Sequence, residues 1–228
     1  MGRVSVAAPK ARSMKSLPKL YAIVDYACFA ATTNSLAAMG IYTEALLRAG
    51  VTLIQFRDKS FDVRRMLSTA RELQRLTQGR AKLIINDRLD VCLGAGGDGV
   101  HLGQDDLSPT AARAVFDYAQ VKDGKNLLVG FSTHNLKQVE QADAMPIDYL
   151  AVGPVFATAS KASPDPVIGL DGVRKARAAT AKPLVAIGGI TRKNCREVMD
   201  AGADAVAVIS DLLDSPVKTV EEFLRVLG

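Results

Sequence analysis

The stretch VTLIQFRDKSFDVRRMLSTARELQRLTQGRAKLIIND, residues 51–87, holds one complete structural unit. It opens on an apolar, strand-like run, Val51–Arg57, and breaks at a polar turn around Asp58 and Lys59. From Asp62 to Gln78 it then sets Val63, Met66, Leu67, Ala70, Leu73 and Leu76 on one face at helical spacing. A second strand-like run, Lys82–Asp87, closes the unit. Outward from there the rhythm repeats in both directions. Candidate strands fall at Leu20–Asp25, Val51–Arg57, Lys82–Asp87, Gly99–Leu102, Leu127–Ser132, Tyr149–Val155, Pro183–Gly188 and Ala205–Ser210, with helical patterns between them such as Arg192–Ala201, closed by Gly202. Eight alternations in one composition regime predict a single closed α/β barrel, the (β/α)8 TIM barrel, over residues 19–228; a doubly wound open sheet is the competing arrangement.

Composition narrows the class. With 228 residues, 48% of them apolar, the chain can bury a large core. No apolar run approaches the roughly 18 residues of a membrane span, and the first residues lack the apolar core of a secretory signal, so a soluble, cytoplasmic protein is expected. Cys28, Cys92 and Cys195 are odd in number and widely spaced, which suggests neither a disulfide framework nor a zinc cage. The net charge of +5 comes from Arg3, Lys10, Arg12, Lys15 and Lys19, which precede the first acid, Asp25. A basic tail on a neutral body, without interleaved aromatics, does not predict nucleic-acid binding. Residues 1–18 are read as a basic, disordered N-terminal tail. The sequence is compatible with a homo-oligomer and does not set the number of copies.

Active sites of such barrels stand at the C-terminal ends of the strands and in the loops that follow. Here those ends are polar. In Val51–Lys59 a side-chain period of two puts Gln55, Arg57 and, if the strand persists, Lys59 on one face, with Ile54 and Phe56 on the other. Cations turned into a barrel mouth imply internal carboxylates or an anionic ligand such as phosphate. Asn86-Asp87 ends the next strand and could simply cap a helix. Asp105-Asp106, after Gly99–Gly103, would stand at the adjacent strand end, and two carboxylates with phosphate oxygens and waters make a Mg²⁺ site.

Gly188-Gly189, followed by Thr191 and an amphipathic stretch, would let backbone N–H groups approach an anion at a helix start, with Ile209-Ser210 completing the cradle. Loops after strands seven and eight are the usual phosphate site of this fold. The loop from Gly153 to Pro166, carrying Thr158, Ser160 and Lys161, reads as a mobile lid with Lys161 as its cationic tip. His101 alternates with apolar neighbours and is expected to be a satisfied core residue; His134, beside Ser132, is a candidate for proton transfer.

The ordered strand ends resemble the thiamine-phosphate synthase family. The motifs are Gln-Phe-Arg-Asp-Lys at 55–59, Ile-Asn-Asp at 85–87, His-Leu-Gly-Gln-Asp-Asp at 101–106 and Gly-Phe-Ser-Thr-His at 130–134. Gly-Pro-Val-Phe-Ala-Thr-Ala-Ser-Lys at 153–161, Ala-Ile-Gly-Gly-Ile at 186–190 and Val-Ile-Ser at 208–210 continue the agreement. The resemblance implies a pyrimidine-diphosphate pocket of Gln55, Arg57, Lys59, Asn86, Ser132 and Lys161. It implies Mg²⁺ ligands at Asp87 and Asp106, and a thiazole-phosphate site of Thr158, Ser160, Gly189, Ile209 and Ser210. Departures are Asp58 for the family's common Glu, Phe56 for Leu and Ser160 for a second Thr; none removes a charge or donor the chemistry needs. Residues 25–34 depart further, and no contacts are assigned there.

The implied reaction is a transfer in which the pyrimidine diphosphate ionises and the thiazole nitrogen attacks, giving thiamine phosphate and diphosphate. Arg57, Lys59, Lys161 and Ser132 would serve the chemistry, chiefly by positioning and by taking up charge. A thiazole tautomerase of the same family would use the thiazole half alone. A non-catalytic phosphate-binding barrel would need neither half-site complete.

Overall fold

A computed structural model describes residues 17–60, 62–123, 126–158 and 165–228. Strands β1 (Leu20–Asp25), β2 (Leu53–Arg57), β3 (Lys82–Asn86), β4 (Gly99–Leu102), β5 (Leu128–Thr133), β6 (Tyr149–Val152), β7 (Leu184–Ile187) and β8 (Ala205–Val208) pair in parallel and in sequence order. β8 returns to β1 and closes the barrel. The helices that cover it are α1 (Ser35–Arg48), α2 (Val63–Thr77), α3 (Leu89–Ala95), α4 (Pro109–Asp123), α5 (Leu136–Asp143), α6 (Gly169–Ala179), α7 (Cys195–Asp200) and α8 (Pro216–Leu227). None of them is long and apolar enough to cross a membrane.

The strand alternation divides the apolar residues between two cores. Outward-facing Ile54, Phe56, Leu83, Ile85, Val129 and Val206 pack with the helices. Inward-facing Tyr21, Ile23, Leu53, Ile84, Leu128, Tyr149 and Val185 fill the barrel, with the small Ala151, Ala205 and Ala207 among them. Leu17, assigned to the tail by the sequence reading, is buried in this inner core. Lys19 donates to the carbonyls of Leu227 and Gly228 at 2.7 and 2.9 Å, tying the entry of β1 to the end of α8. Residues 1–16 lie outside the described residues.

Helix boundaries follow local chemistry. Asp62 accepts from the Arg65 amide at 3.1 Å and caps α2 at the start of the expected helical stretch. The helix expected at Arg192–Ala201 is shorter: Asn194 Oδ1 accepts from Thr191 N at 2.7 Å, holding a turn, and α7 starts only at Cys195. At the opposite barrel end, Asp98, Asp148 and Asp204 each stand just before an even-numbered strand. Each accepts the amide of a residue near the start of the preceding strand: Leu83 at 2.9 Å, Val129 at 2.7 Å and Leu184 at 2.8 Å.

Candidate active site

The C-terminal strand ends enclose a cavity of about 460 Å³. Its walls include Gln55, Arg57, Lys59, Asn86, Asp87, Asp106, Ser132, Thr158, Gly189, Ile209 and Ser210, which are all the sequence-expected site residues that are described. Ser160 and Lys161 lie outside the described residues. The space exists because Ala151 and Ala207, rather than larger side chains, face it from β6 and β8.

β2 ends at Arg57, so Lys59 reaches the cavity from the loop and not from the strand. Both cations have internal carboxylate partners. The Arg57 guanidinium is bonded to the buried carboxylate of Asp25, its register partner on β1. Asp25 also accepts from Ala27 N at 3.1 Å, which fixes the carboxylate at the start of a short 3-10 turn. The Lys59 ammonium donates to Asp87 at 2.5 Å.

Asp87 does not cap a helix. The capping position of α3 is Arg88, which makes no side-chain cap bond, and Asp87 itself sits at φ 62°, in the left-handed region that a non-glycine residue seldom adopts. That conformation turns its carboxyl toward Lys59 and Asp106. Burial raises the Asp87 carboxyl above the usual carboxylate range; Lys59 opposes the shift and the hydrogen-bonding neighbour Asp106 adds to it. Asp106 accepts from Gly103 N at 2.7 Å, while Asp105 is exposed at the rim. No cluster of three or more metal-ligating side chains occurs among the described residues, so a cation here would draw on two carboxylates and complete its shell from ligand or water oxygens.

Asn86 is buried, and its Nδ2 finds no hydrogen-bond partner among the described residues. A buried amide donor facing a cavity is unfavourable unless a ligand or water accepts from it. On the opposite wall Gly188 and Gly189 take φ 102° and 63°. A methyl at Gly188 would stand 2.5 Å from Pro154 Cβ, and one at Gly189 2.5 Å from the Ala157 carbonyl. The glycines are therefore required by the close approach of the loop after β6. They precede α7 by several residues and are not at a helix start, so the sequence expectation of a helix-terminal anion site is corrected to a turn facing Ile209 and Ser210. The two walls of that turn are tied together by Arg192, whose amide donates to Asp211 at 2.9 Å.

Beneath the cavity runs a hydrogen-bonded chain that the sequence reading missed. Gln55 Nε2 donates to the Tyr21 hydroxyl at 2.9 Å, which meets the Tyr149 hydroxyl at 2.9 Å. Tyr149 contacts His101 Nδ1 at 3.1 Å, and His101 Nε2 contacts Ser132 Oγ at 2.8 Å. Burial lowers His101 to a pKa of about 4, so the ring is neutral at physiological pH. The expectation of a satisfied core histidine holds, yet the residue directly supports a cavity-lining serine. Its signal was the polar residues Tyr21, His101 and Tyr149 inside otherwise apolar strands. His134 Nδ1 donates to the Gly153 carbonyl at 2.8 Å and lies 3.4 Å from Asp165.

A family model described as thiamine monophosphate synthase matches residues 20–212. The chain belongs to that family. A thiamine-phosphate synthase of Koribacter versatilis is 53% identical over 211 residues, covering 92% of this chain and 96% of the relative. One from Chloroflexus aurantiacus is 42% identical over 192 residues, 82% of this chain and 85% of the relative. Among solved structures, a thiamine phosphate pyrophosphorylase from Pyrococcus furiosus superposes with a TM-score of 0.77 at 32% identity, covering 92% of this chain and 95% of that one. The family match spans every described strand, so all the strand ends that build the cavity fall within it.

Proposed function

We propose that this member of the thiamine monophosphate synthase family is a transferase that joins an aminopyrimidine methyl diphosphate to thiazole phosphate, or its carboxylated form, giving thiamine phosphate and diphosphate. The observation that carries the reading is that one cavity holds two kinds of anion-binding wall. Arg57 and Lys59 stand beside the Asp87–Asp106 pair on one side, and the Gly188-Gly189 turn faces Ser210 on the other.

In this reading Gln55, Asn86 and Ser132 hold the pyrimidine diphosphate, and Arg57, Lys59 and Lys161 take up negative charge as the carbon–oxygen bond to diphosphate breaks. The electron-rich aminopyrimidine stabilises the cation left behind. The thiazole nitrogen, oriented by Thr158, Ser160, Gly189, Ile209 and Ser210 through its phosphate, then forms the new carbon–nitrogen bond. Positioning and charge stabilisation suffice, with no covalent enzyme intermediate. The residues present fit Mg²⁺, which Asp87 and Asp106 would hold: two adjacent carboxylates, one with its acidity suppressed by burial and by the other, are relieved by a divalent cation. When bound, Mg²⁺ supplies positive charge to the leaving diphosphate. The reading carries with it a cytoplasmic setting and small-molecule partners.

The test is diphosphate release with Mg²⁺ and the two substrates, together and singly. Release that requires both supports the transfer. Equal release from the pyrimidine diphosphate alone indicates a hydrolase, and proton exchange on the thiazole without diphosphate release indicates a tautomerase; either result overturns the proposal.

A further inference from the structure

The chain Gln55–Tyr21–Tyr149–His101–Ser132 joins residues of five different strands, of which all but Tyr149 line the cavity. It crosses the barrel interior: Tyr21 is on β1 and Tyr149 on β6, and His101 is on β4, none of these three being neighbours in the sheet. Room for it is made by Gly130 on β5. A methyl there would stand 2.2 Å from Tyr149 Cζ and 2.5 Å from His101 Nδ1.

Proton counting limits how such a chain can be arranged. Each phenol carries one proton, and the neutral imidazole carries one N–H. Four consecutive bonds each need one proton. With Gln55 Nε2 donating to Tyr21, the Tyr21 proton is left for Tyr149, the Tyr149 proton for His101 Nδ1, and the ring N–H must then be on Nε2, donating to Ser132. Any other arrangement that starts from the same Gln55 amide leaves a phenol proton buried without an acceptor or two protons opposed across one bond. The polarity is therefore set along the whole chain at once. At one end the Gln55 carbonyl is unused by the chain; at the other, Ser132 accepts from His101 and its own proton is free to be donated.

We propose that Tyr21, Tyr149 and His101 are positioning residues that fix the Gln55 amide with its nitrogen on Tyr21 and its carbonyl free to accept, and hold Ser132 as a donor toward the cavity. A ligand that offers an N–H donor at one end and a lone pair or phosphate oxygen at the other is thereby selected. This rests on the proposed transfer reading and assigns the chain to its aminopyrimidine diphosphate half. The thiazole half, held by the turns after β7 and β8, is not served by the chain.

Two measurements test it. In protein carrying ¹⁵N-labelled histidine, the His101 resonance should report the Nε2–H form at neutral pH; His134, the only other histidine, is assigned by its substitution with glutamine. The Nδ1–H form in the wild-type protein would mean the opposite polarity and overturns the proposal. In steady-state assays Tyr149→Phe and, separately, Tyr21→Phe should raise KM for the pyrimidine diphosphate roughly tenfold, about the worth of one hydrogen bond, and shift the ring away from a single tautomer. KM for thiazole phosphate should stay within about twofold of wild type, since a general loss of fold would move both. Unchanged pyrimidine KM in either folded variant rejects the positioning role. If the wild-type protein releases no diphosphate, the transfer reading has failed, and the tautomer spectrum still decides the polarity of the chain.

Discussion

The carboxyl of Asp106 stands close enough to Asp87 to disfavour its charge, although the two follow different strands. Two like charges at that distance are costly unless a proton or a cation is held between them. If the cation is Mg²⁺, either single alanine substitution should forfeit most of its contribution to turnover, and the second should add little. Measuring kcat/KM against Mg²⁺ concentration for Asp87→Ala, Asp106→Ala and the pair checks this. Wild-type Mg²⁺ dependence in either single variant would remove the shared site.

His101 should make the fold acid-sensitive. Its ring titrates at about 4 in the folded protein and near 6.5 when unfolded, so between those values the unfolded chain binds the extra proton. Stability is then complete above pH 6.5 and declines by up to about 3 kcal/mol as pH falls toward 4. Urea unfolding at a series of pH values should give a shallower acid limb for His101→Asn than for wild type. Parallel limbs would contradict the burial of a neutral ring.

Asp148 and Asp204 play the same structural part with different exposure. Asp148 accepts from Val129 N and from Arg113 at 2.5 Å, and the side chains of that ion pair are only 6% and 12% exposed. Asp204 accepts from Leu184 N and pairs with Arg177, but its side chain is 47% exposed. Asp148→Ala should therefore cost about 2 to 3 kcal/mol, because it takes the carboxylate from a largely enclosed guanidinium and leaves it only the carbonyls of Leu127 and Pro146. Asp204→Ala should cost about 1 kcal/mol. Equal losses by chemical denaturation would show that burial does not decide the cost.

Gly130→Ala places a methyl inside the space of the Tyr149 ring. The strand must shift or the ring must leave, at a cost of about 1 to 3 kcal/mol. We expect a lowered Tm together with a raised KM for the pyrimidine diphosphate. A variant with wild-type Tm would mean that the ring can move aside freely.

Deleting residues 1–16 should leave both Tm and turnover close to wild type, since every motif lies downstream. Extending the deletion through Lys19 removes the buried Leu17 and the bonds to the carbonyls of α8, and should lower Tm. Thermal melts of the two truncated proteins separate these outcomes.

The strands were legible because one side-chain period governs each of them and polar residues stop it at the mouth: Gln55 to Arg57, Asn86 to Asp87 and Ser132 all fall where they were expected. What could not be read was pairing across strands. Asp25 ends its strand in plain sight, but its bond to Arg57 depends on the β1–β2 register, which no local pattern reveals. The same holds for Tyr21 and Tyr149, whose hydroxyls meet across the barrel. The start of α7 was misplaced because an asparagine turn at Thr191–Asn194 interrupts an amphipathic pattern that continues through it. The repeated aspartates at the far end of the barrel act on the preceding strand's amides, a role invisible without the sheet.

The contact between Lys59 and Asp87 has a thermodynamic consequence for how ligands enter. One ammonium cannot neutralise that carboxylate and a bound phosphate at full strength together. If Asp87 holds the cation as proposed, Lys59 would exchange partners: a divalent cation on Asp87 would release the ammonium to a polyanion, and a polyanion that drew Lys59 away would leave the carboxylate open to the cation. Linkage makes the two enhancements equal. The affinity for Mg²⁺ should rise when diphosphate is present by more in the wild-type protein than in Lys59→Met, and calorimetric titrations of both proteins would register the difference as heterotropic cooperativity carried by a single side chain.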